Sequence, residues 1–197
     1  MPQKWQHVIG IDPSLTGTAV AVIKYKDGSL VCVQTFTTEK KDFHRLERTC
    51  YIRNSVLGTI IKYRKGLAPV FIEGYGFGCK GRAIFDLAGL GDAIRLSLVE
   101  FMGIAFYDIP PTLLKKFITG KGNSAKNIML EKVYRKYGMG SETLLDDNQV
   151  DAFALAKFGR DFLKWKDGTP AKNCSKECFK KVGTPEKFDP DRTWTKS

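Results

Sequence analysis

The first forty residues alternate short apolar runs with turn residues, a pattern typical of β-strands. Residues 7–11 (HVIGI) form an apolar run that stops at Asp12-Pro13, and residues 18–25 (TAVAVIKY) form a second run. Asp27-Gly28 is a turn signal, and residues 29–37 (SLVCVQTFT) return from it. The pattern therefore predicts three antiparallel strands joined in a meander.

Beyond residue 42 the apolar spacing becomes that of helices alternating with short strands. Buried strands are predicted at residues 70–72 and 104–109. Helices are predicted over residues 42–64, 83–102 and 112–118, then from a cap at Asn123 or Ser124 to Tyr137, and over 146–165. The predicted fold class is α/β, with a mixed five-stranded sheet covered by helices on both faces. We expect a domain over residues 1–163 and a Lys-rich appendage over 164–197.

Composition narrows the class of partner. The 197 residues carry 32 Lys and Arg against 21 Asp and Glu, a net charge of +11. Such an excess of positive charge indicates a polyanionic partner. Nucleic acid is the first candidate, and an acidic membrane surface is the second. No apolar run approaches the ~20 residues that span a bilayer, and the first residues lack the apolar stretch of a secretion signal. We therefore expect a cytoplasmic protein with no membrane partner, whose five scattered cysteines are free thiols.

Acidic residues stand where strands end. Asp12 closes the first predicted strand, Glu73 closes the fourth, and Asp151 lies in the first turns of the last helix, shortly after Asp147. Singly, such residues are ordinary turn or capping residues. Gathered at one sheet edge, they would repel one another unless divalent cations with oxygen preference, Mg²⁺ or Mn²⁺, bound between them. Paired ions ~4 Å apart are the usual device for phosphodiester cleavage.

Four segments in order resemble the RuvC family of Holliday-junction resolvases, particularly its phage-encoded branch, within the ribonuclease-H-like superfamily. They are IGIDPSLTG at residues 9–17, FIE at 71–73 with a following Gly89-Leu90-Gly91, the stretch from Pro110-Pro111 through Lys115 to Lys126, and DNQVDAFALA at 147–156. The segments span residues 7 to about 160. The resemblance implies a ribonuclease-H-like sheet.

The same resemblance implies a homodimeric, metal-dependent crossover junction endodeoxyribonuclease of DNA recombination and repair, which nicks a four-way junction symmetrically. Asp12, Glu73 and Asp151 match the family's metal-binding acids, and Lys115 and Lys126 match its basic residues near the active site. Two Mg²⁺ (or Mn²⁺) ions per site are expected, with Lys126 counted among the catalytic residues. If phage-encoded, the protein would act in the host cytoplasm. The residues expected to contact DNA are Tyr75, Phe77, Lys80, Arg82, Lys115, Lys116, Lys121 and Lys126.

The sequence departs from the family pattern at the fourth metal ligand. Many members have an acid three residues before the last Asp, where this chain has Asn148. Asp147, one residue earlier, is favoured as the fourth ligand. The family also inserts an aromatic ring at the junction, and Tyr75 and Phe77 are candidates; packing of either ring into the core is an equally good interpretation. Small residues at Gly89, Gly91 and Ala93 permit a close dimer contact or packing within one chain.

Other functions are compatible with parts of the sequence. One is a related nuclease acting on other branched DNA or on RNA–DNA hybrids, and another is a junction-binding protein without catalysis. IDPSLTG is also similar to the first phosphate loop of actin-like ATPases and sugar kinases, but those proteins need a duplicated domain, so no nucleotide cofactor is expected. Cys174 and Cys178 have the spacing of half a zinc site, and the two histidines, His7 and His44, are distant in sequence.

Overall fold

Five strands form a single mixed sheet. The computed structural model describes residues 5–38, 44–63, 68–75, 82–138 and 145–187. The strands are β1 (His7–Asp12), β2 (Thr18–Lys24), β3 (Leu30–Phe36), β4 (Val70–Glu73) and β5 (Phe106–Ile109), in the spatial order β3-β2-β1-β4-β5. β1, β2 and β3 pair antiparallel, whereas β4 pairs parallel with both β1 and β5. The predicted mixed sheet, with its meander and two parallel strands, is confirmed.

Six α-helices are present in the described residues. They are α1 (Arg45–Tyr63), α2 (Arg82–Leu96), α3 (Pro111–Thr119), α4 (Lys126–Tyr137), α5 (Asp147–Lys166) and α6 (Asn173–Phe179). The helix predicted to reach residue 102 changes at Ser97–Phe101 into a π-helical turn, where the Met102 amide donates to the Ser97 carbonyl. The prediction of Asn123 or Ser124 as the N-cap of α4 is wrong, since Ala125 occupies that position. The Ser124 hydroxyl donates instead to the Lys121 carbonyl. Helix α6 was not predicted.

Alternating residues of the strands pack into two separate hydrophobic cores, one on each face of the sheet. Val8, Ala19 and Ala21 face the side of the sheet covered by α3, α4, α5 and α6. Ile9 and Val20 face the opposite side, which α1 and α2 cover. The period-2 pattern of the strands thus produces helices on both faces, as predicted.

Helix α5 crosses the centre of the sheet at very short range, and Gly10 makes this possible. A methyl group on Gly10 would lie 2.5 Å from the backbone nitrogen of Ala156 and closer still to the carbonyl oxygen of Ala152. Gly159, further along α5, has the ring of Phe71 in the corresponding position. These contacts fix the position of α5, and with it Asp151, relative to the end of β1.

Replacement of Gly10 by alanine should therefore destabilise the protein strongly. The methyl group meets backbone atoms of α5, which cannot move aside without shifting the whole helix. We expect a loss of about 3 kcal/mol in the free energy of unfolding, measured by urea denaturation. Gly58→Ala in α1 is the matched control, because a methyl group there meets no atom within 4 Å. It should be neutral or stabilise by up to ~1 kcal/mol. Equal stability of the two variants would contradict this account of α5 docking.

The segment after residue 163 packs against the rest of the described structure. Helix α5 continues to Lys166, and α6 buries Cys178 and Phe179 among the aromatic rings of α3 and α5. The amide of Glu186 donates to the carbonyl of Phe106 in β5 at 2.8 Å. A domain boundary at residue 163 stays a prediction.

Two further expectations concern cysteines and membranes. The described cysteines, at positions 32, 50, 174 and 178, are free thiols, and Cys79 lies outside the described residues. Within the described ranges, no helix combines the length and apolarity required to cross a bilayer.

Candidate active site

The sheet brings two acidic residues to one edge. Asp12 is the last residue of β1 and Glu73 the last of β4, and these strands run parallel with Ile11 opposite Ile72. The loop after Asp12 is fixed by Thr18, whose buried hydroxyl donates to the Ser14 carbonyl at 2.9 Å. Asp12 is only 5% exposed. The sequence placed both carboxylates at strand ends, and the parallel pairing makes them neighbours.

Asp12 and Glu73 share a hydrogen bond in the buried site. Burial, followed by the charges of Glu73 and Asp151, raises the pKa of Asp12 well above its usual value. Burial also raises the pKa of Glu73, although the hydrogen bond with Asp12 opposes that rise. Burial is the largest cause of both shifts, and a hydrogen bond between two carboxyl groups requires that they share a proton.

Asp151 is the third member of the cluster. It lies on α5, one turn after the helix start, and burial followed by the charge of Glu73 raises its pKa to about 7. A carboxyl group that titrates this far above its usual range is typical of a functional site. The helix start itself is built by Asp146, whose carboxylate accepts from the Gln149 amide at 2.8 Å in a capping box.

Asp147 and Asn148, the two candidates for a fourth ligand, lie differently. The charge of Asp147 contributes to the raised pKa of Asp151, so the two carboxylates are close. The amide nitrogen of Asn148 lies against Gly17, 3.0 Å from where a Cβ of that glycine would be. This placement favours Asp147, which stays the predicted ligand.

Two lysines face the acids. Lys126 opens α4, and its charge lowers the pKa values of Asp12, Glu73 and Asp151. Lys115 on α3 acts in the same direction on Glu73 and Asp151. Both lysines thus stand beside the acidic cluster, where they can offset negative charge on the acids or on a bound phosphate.

The side chains of Asp12, Glu73 and Asp151 are suitable ligands for a hard divalent cation. All are carboxylates and they are buried or half-buried. The charge of Glu73 raises the pKa values of Asp12 and Asp151, so an added positive charge would stabilise the ionised forms. Within the described ranges, no three His, Cys, Asp or Glu side chains converge to hold one metal ion as they stand. Ion binding would replace the proton that Asp12 and Glu73 share. The same finding gives Cys174 and Cys178 no third zinc ligand.

A buried arginine, which was not predicted from the sequence, binds the backbone at Glu73. Arg95 of α2 is 7% exposed and donates to the Glu73 carbonyl at 2.8 Å. It also binds both carboxylate oxygens of Asp108 in β5, at 2.7 and 3.1 Å. Such a bidentate pair ties α2, β4 and β5 together at the site. The sequence signal was weak: an arginine near the end of a helix that also contains two aspartates, and an aspartate inside a strand.

Tyr75 belongs to the same network. Its hydroxyl accepts from Arg95 at 3.1 Å and donates to Asp92, and the guanidinium lies 4.5 Å from the ring centroid. Stacking on a DNA base would require Tyr75 to leave these contacts. The ring is 42% exposed and packs into neither core, so its contact with DNA stays a prediction. Phe77 and Lys80 lie outside the described residues, as does the side chain of Arg82.

The remaining predicted DNA contacts are spread around the site. Lys121 is exposed in the loop between α3 and α4. Lys116 is directed away from the acids and forms a salt bridge with Glu177 of α6 at 2.9 Å. Their contact with DNA stays a prediction.

Comparison with known proteins agrees with this geometry. A sequence model of the family Crossover junction endodeoxyribonuclease RuvC matches residues 8–157. A curated protein of that name from Prochlorococcus marinus (strain NATL2A) is 28% identical over 77% of this chain and 96% of its own length. Another, from Helicobacter acinonychis (strain Sheeba), is 27% identical over 80% of this chain and 98% of its own.

Solved structures agree in fold. Thermus thermophilus RuvC superposes with a TM-score of 0.66 at 21% identity, over 83% of this chain and 97% of that one. T. thermophilus RuvC in complex with Holliday junction substrate gives a TM-score of 0.66 at 20% identity, over 85% and 98%.

The chain belongs to the RuvC family of crossover junction endodeoxyribonucleases. The prediction of that family, made from four short segments, is confirmed, as is the prediction of an enzyme that hydrolyses DNA. Membership of a phage-encoded branch stays a prediction.

Proposed function

We propose that this protein is a metal-dependent endonuclease that resolves four-way DNA junctions by paired symmetric nicks. The single observation that supports this most strongly is the buried cluster of Asp12, Glu73 and Asp151, which two lysines face. The cluster lies at the edge where β1 and β4 end, within the part of the chain that matches the family. The net charge of +11 suits a DNA substrate.

The proposed roles follow from the positions of the side chains. Asp12, Glu73, Asp151 and Asp147 would hold two Mg²⁺ or Mn²⁺ ions. Bound there, the ions would supply a hydroxide nucleophile at neutral pH and stabilise the leaving 3′ oxygen. Lys126 would offset the negative charge that develops on the phosphoryl oxygens, and Lys115 would hold a neighbouring phosphate. Arg95 would keep Glu73 in position through its backbone carbonyl.

Paired nicks need two active sites, and an exposed face of α2 supports a homodimer. Phe85 and Leu96 are 69% and 58% exposed and lie three helical turns apart on one face. Gly89 lies between them on that face, with no atom within 4 Å of where its Cβ would be. Gly91, by contrast, is filled by Arg95 and Tyr75 of its own chain. The outer face of α2 is thus open, and it is apolar apart from the exposed Asp92 between Gly89 and Leu96, which leaves room for a twofold contact.

Charge placed on this face should produce monomers. We expect Phe85→Glu and Leu96→Glu each to convert a dimer into a folded monomer, measured by sedimentation at micromolar concentration, because a buried unpaired carboxylate opposes association. Ile128→Glu on α4 is the matched control, since Ile128 is a comparably accessible apolar side chain at 42% exposure on another surface. A monomeric wild-type protein, or dimers of both α2 variants, would contradict the proposed interface.

Substrate competition tests the proposed function itself. The wild-type protein is given a mobile four-way junction, linear duplex, splayed arms and an RNA–DNA hybrid, each with Mg²⁺ and with a chelator. We expect symmetric nicks in the junction alone, abolished by the chelator. Preferred cleavage of the hybrid or of splayed arms would assign the protein to a different nuclease activity. Junction binding without cleavage in either Mg²⁺ or Mn²⁺ would identify a non-catalytic binding protein.

A further inference from the structure

A basic cleft lies at the far end of α5 from the acidic cluster. It has a volume of about 310 Å³ and is lined by α4, the end of α5, the loop at residues 169–172 and α6. Asp151 and Lys164 are thirteen residues apart on α5, which corresponds to roughly 20 Å along the helix. The cleft is therefore separate from the site described above.

The charges in this cleft are unbalanced. Among the described residues, four cations line it, Lys136, Arg160, Lys164 and Lys172, and Asp161 is the only acidic one. Asp161 is already paired with Arg160 at 3.0 Å. Within the described ranges, none of the three lysines has a carboxylate oxygen within 4.0 Å. In the described part of the chain, three lysine side chains thus line one cavity without a carboxylate partner.

The walls of the cleft are held rigidly. Arg160 donates to the carbonyls of Tyr25 and Lys26 at 2.9 and 3.2 Å, and Lys164 also donates to Lys26 at 3.0 Å. On the opposite wall, the Lys136 ammonium lies 4.1 Å from the centroid of the Phe117 ring. Phe179 of α6 is buried at the base. Such a preorganised site loses little entropy when it binds a ligand.

Electrostatics favour an anion in this position. Burial and the nearby Lys172 both lower the pKa of Lys136, and burial and Arg160 lower that of Lys164, in spite of nearby Asp161. The cations therefore repel one another in the free protein, and a bound anion would relieve that repulsion. The hydroxyl-bearing residues Thr169 and Ser175 also line the cleft. Ammonium groups together with hydroxyl donors suit a phosphate group.

We propose that this cleft is a second phosphate-binding site, which holds a backbone phosphate of a DNA arm away from the scissile bond. Apart from Lys136, the residues that line it follow residue 157, where the family match ends. The site is thus built by an addition to the family core. The identification of the phosphate as part of a DNA arm rests on the proposed function.

DNA binding by a double variant, Lys164→Gln with Lys172→Gln, tests the proposal. Affinity for a four-way junction and for a 20-bp duplex is measured in a chelator, so that cleavage plays no part. We expect roughly tenfold weaker binding and a salt dependence shallower by about one, since one phosphate contact is lost. The matched control is Lys180→Gln with Lys181→Gln, two exposed lysines of the same segment that do not line the cleft. Equal affinities for the two double variants would overturn the proposal.

Inorganic phosphate distinguishes a DNA phosphate from a small phosphate compound. In the wild-type protein, the amide NMR signals of Thr169, Ala171 and Lys172 should shift during a phosphate titration, and the shifts should vanish in the cleft variant. Phosphate shifts with unchanged DNA affinity would assign the cleft to a small phosphate compound. Absence of both effects would overturn the site altogether.

Lys172→Gln alone is a control for misfolding. Lys172 is exposed, and among the contacts described for it only the backbone carbonyl, which the substitution keeps, supports the fold. It should show part of both effects. Failure of this proposal is distinguishable from failure of the proposed function. If the variant loses phosphate binding but the wild-type protein does not cleave junctions, the phosphate site is supported and the nuclease activity is refuted. If the wild-type protein cleaves junctions but the variant binds phosphate and DNA like the wild-type protein, the phosphate site alone is refuted.

Discussion

Replacement of Asp12 by asparagine is expected to abolish junction cleavage, lowering the rate at least ~10³-fold, while junction binding is retained or tightened. The carboxylate of Asp12 is the most deeply buried member of the acidic cluster. An amide at this position lacks the charge that would help to hold a divalent cation. It would also reduce the repulsion between the site and the DNA phosphates, so binding should not suffer.

The same substitution should leave the fold intact. Asp12 and Glu73 share a hydrogen bond, and the amide of asparagine has nearly the same shape as the carboxyl group and can donate to Glu73. Cleavage is measured on a synthetic mobile junction in Mg²⁺, and binding on the same junction in a chelator. Asp27→Asn, in the exposed turn between β2 and β3, is the matched control and should cleave like the wild-type protein. Cleavage by Asp12→Asn would refute the assignment of the site.

The second large effect is the pH dependence of the stability of the metal-free protein. The pKa of Asp151 is raised to about 7 in the folded protein, from 3.8 as the ordinary value, so the folded state binds its proton more tightly than the unfolded chain does. Stability therefore falls as pH rises from about 4 to about 7, by a free energy on the order of 4 kcal/mol from this residue. The raised pKa values of Asp12 and Glu73 act in the same direction.

Divalent cations should reverse this loss, and only at the higher pH. At pH 8, Mg²⁺ or Mn²⁺ at ten times its dissociation constant should stabilise by about 1.4 kcal/mol, or ~3–6 °C in the unfolding temperature. At pH 5 protons compete for the same carboxylates, so the ions should have little effect. Thermal unfolding with chelator and with metal, at both pH values, measures this difference.

The Asp12→Asn variant provides the control for that measurement. It should be more stable than the wild-type protein in chelator at pH 8, because one buried ionisable carboxyl is gone, and it should respond weakly to metal. Equal stabilisation of the wild-type protein by Mg²⁺ at pH 5 and pH 8 would show that the ions bind elsewhere.

The positions of the acidic residues in the fold could be predicted from the sequence where they depend on strand ends. Asp12 and Glu73 each follow an apolar run, and the parallel pairing of β1 and β4 brings such positions together. Asp151 was placed correctly because its helix has a strong apolar periodicity and a capping signal at Asp146. These features are local, or follow from one pairing rule, and so they can be derived from the chain alone.

Features that depend on tertiary contacts were missed. Arg95 carries no local signal in the sequence, because its partner Asp108 lies on another element and only the folded sheet brings them together. Helix α6 has seven residues and little periodicity, and it is stabilised by Phe179 packing against the rings of Phe158 and Phe162. The basic cleft was missed for the same reason, since its cations come from three separate elements.

The central claim is that Asp12, Glu73 and Asp151 together bind the divalent cations that cleave DNA. The most direct test is a crystal structure of the wild-type protein soaked in Mn²⁺, with the ions located by anomalous scattering. The account predicts Mn²⁺ between Asp12 and Glu73, within coordination distance of both carboxylates, and none in crystals of Asp12→Asn. Mn²⁺ bound only elsewhere, in a protein that still cleaves junctions, would contradict it.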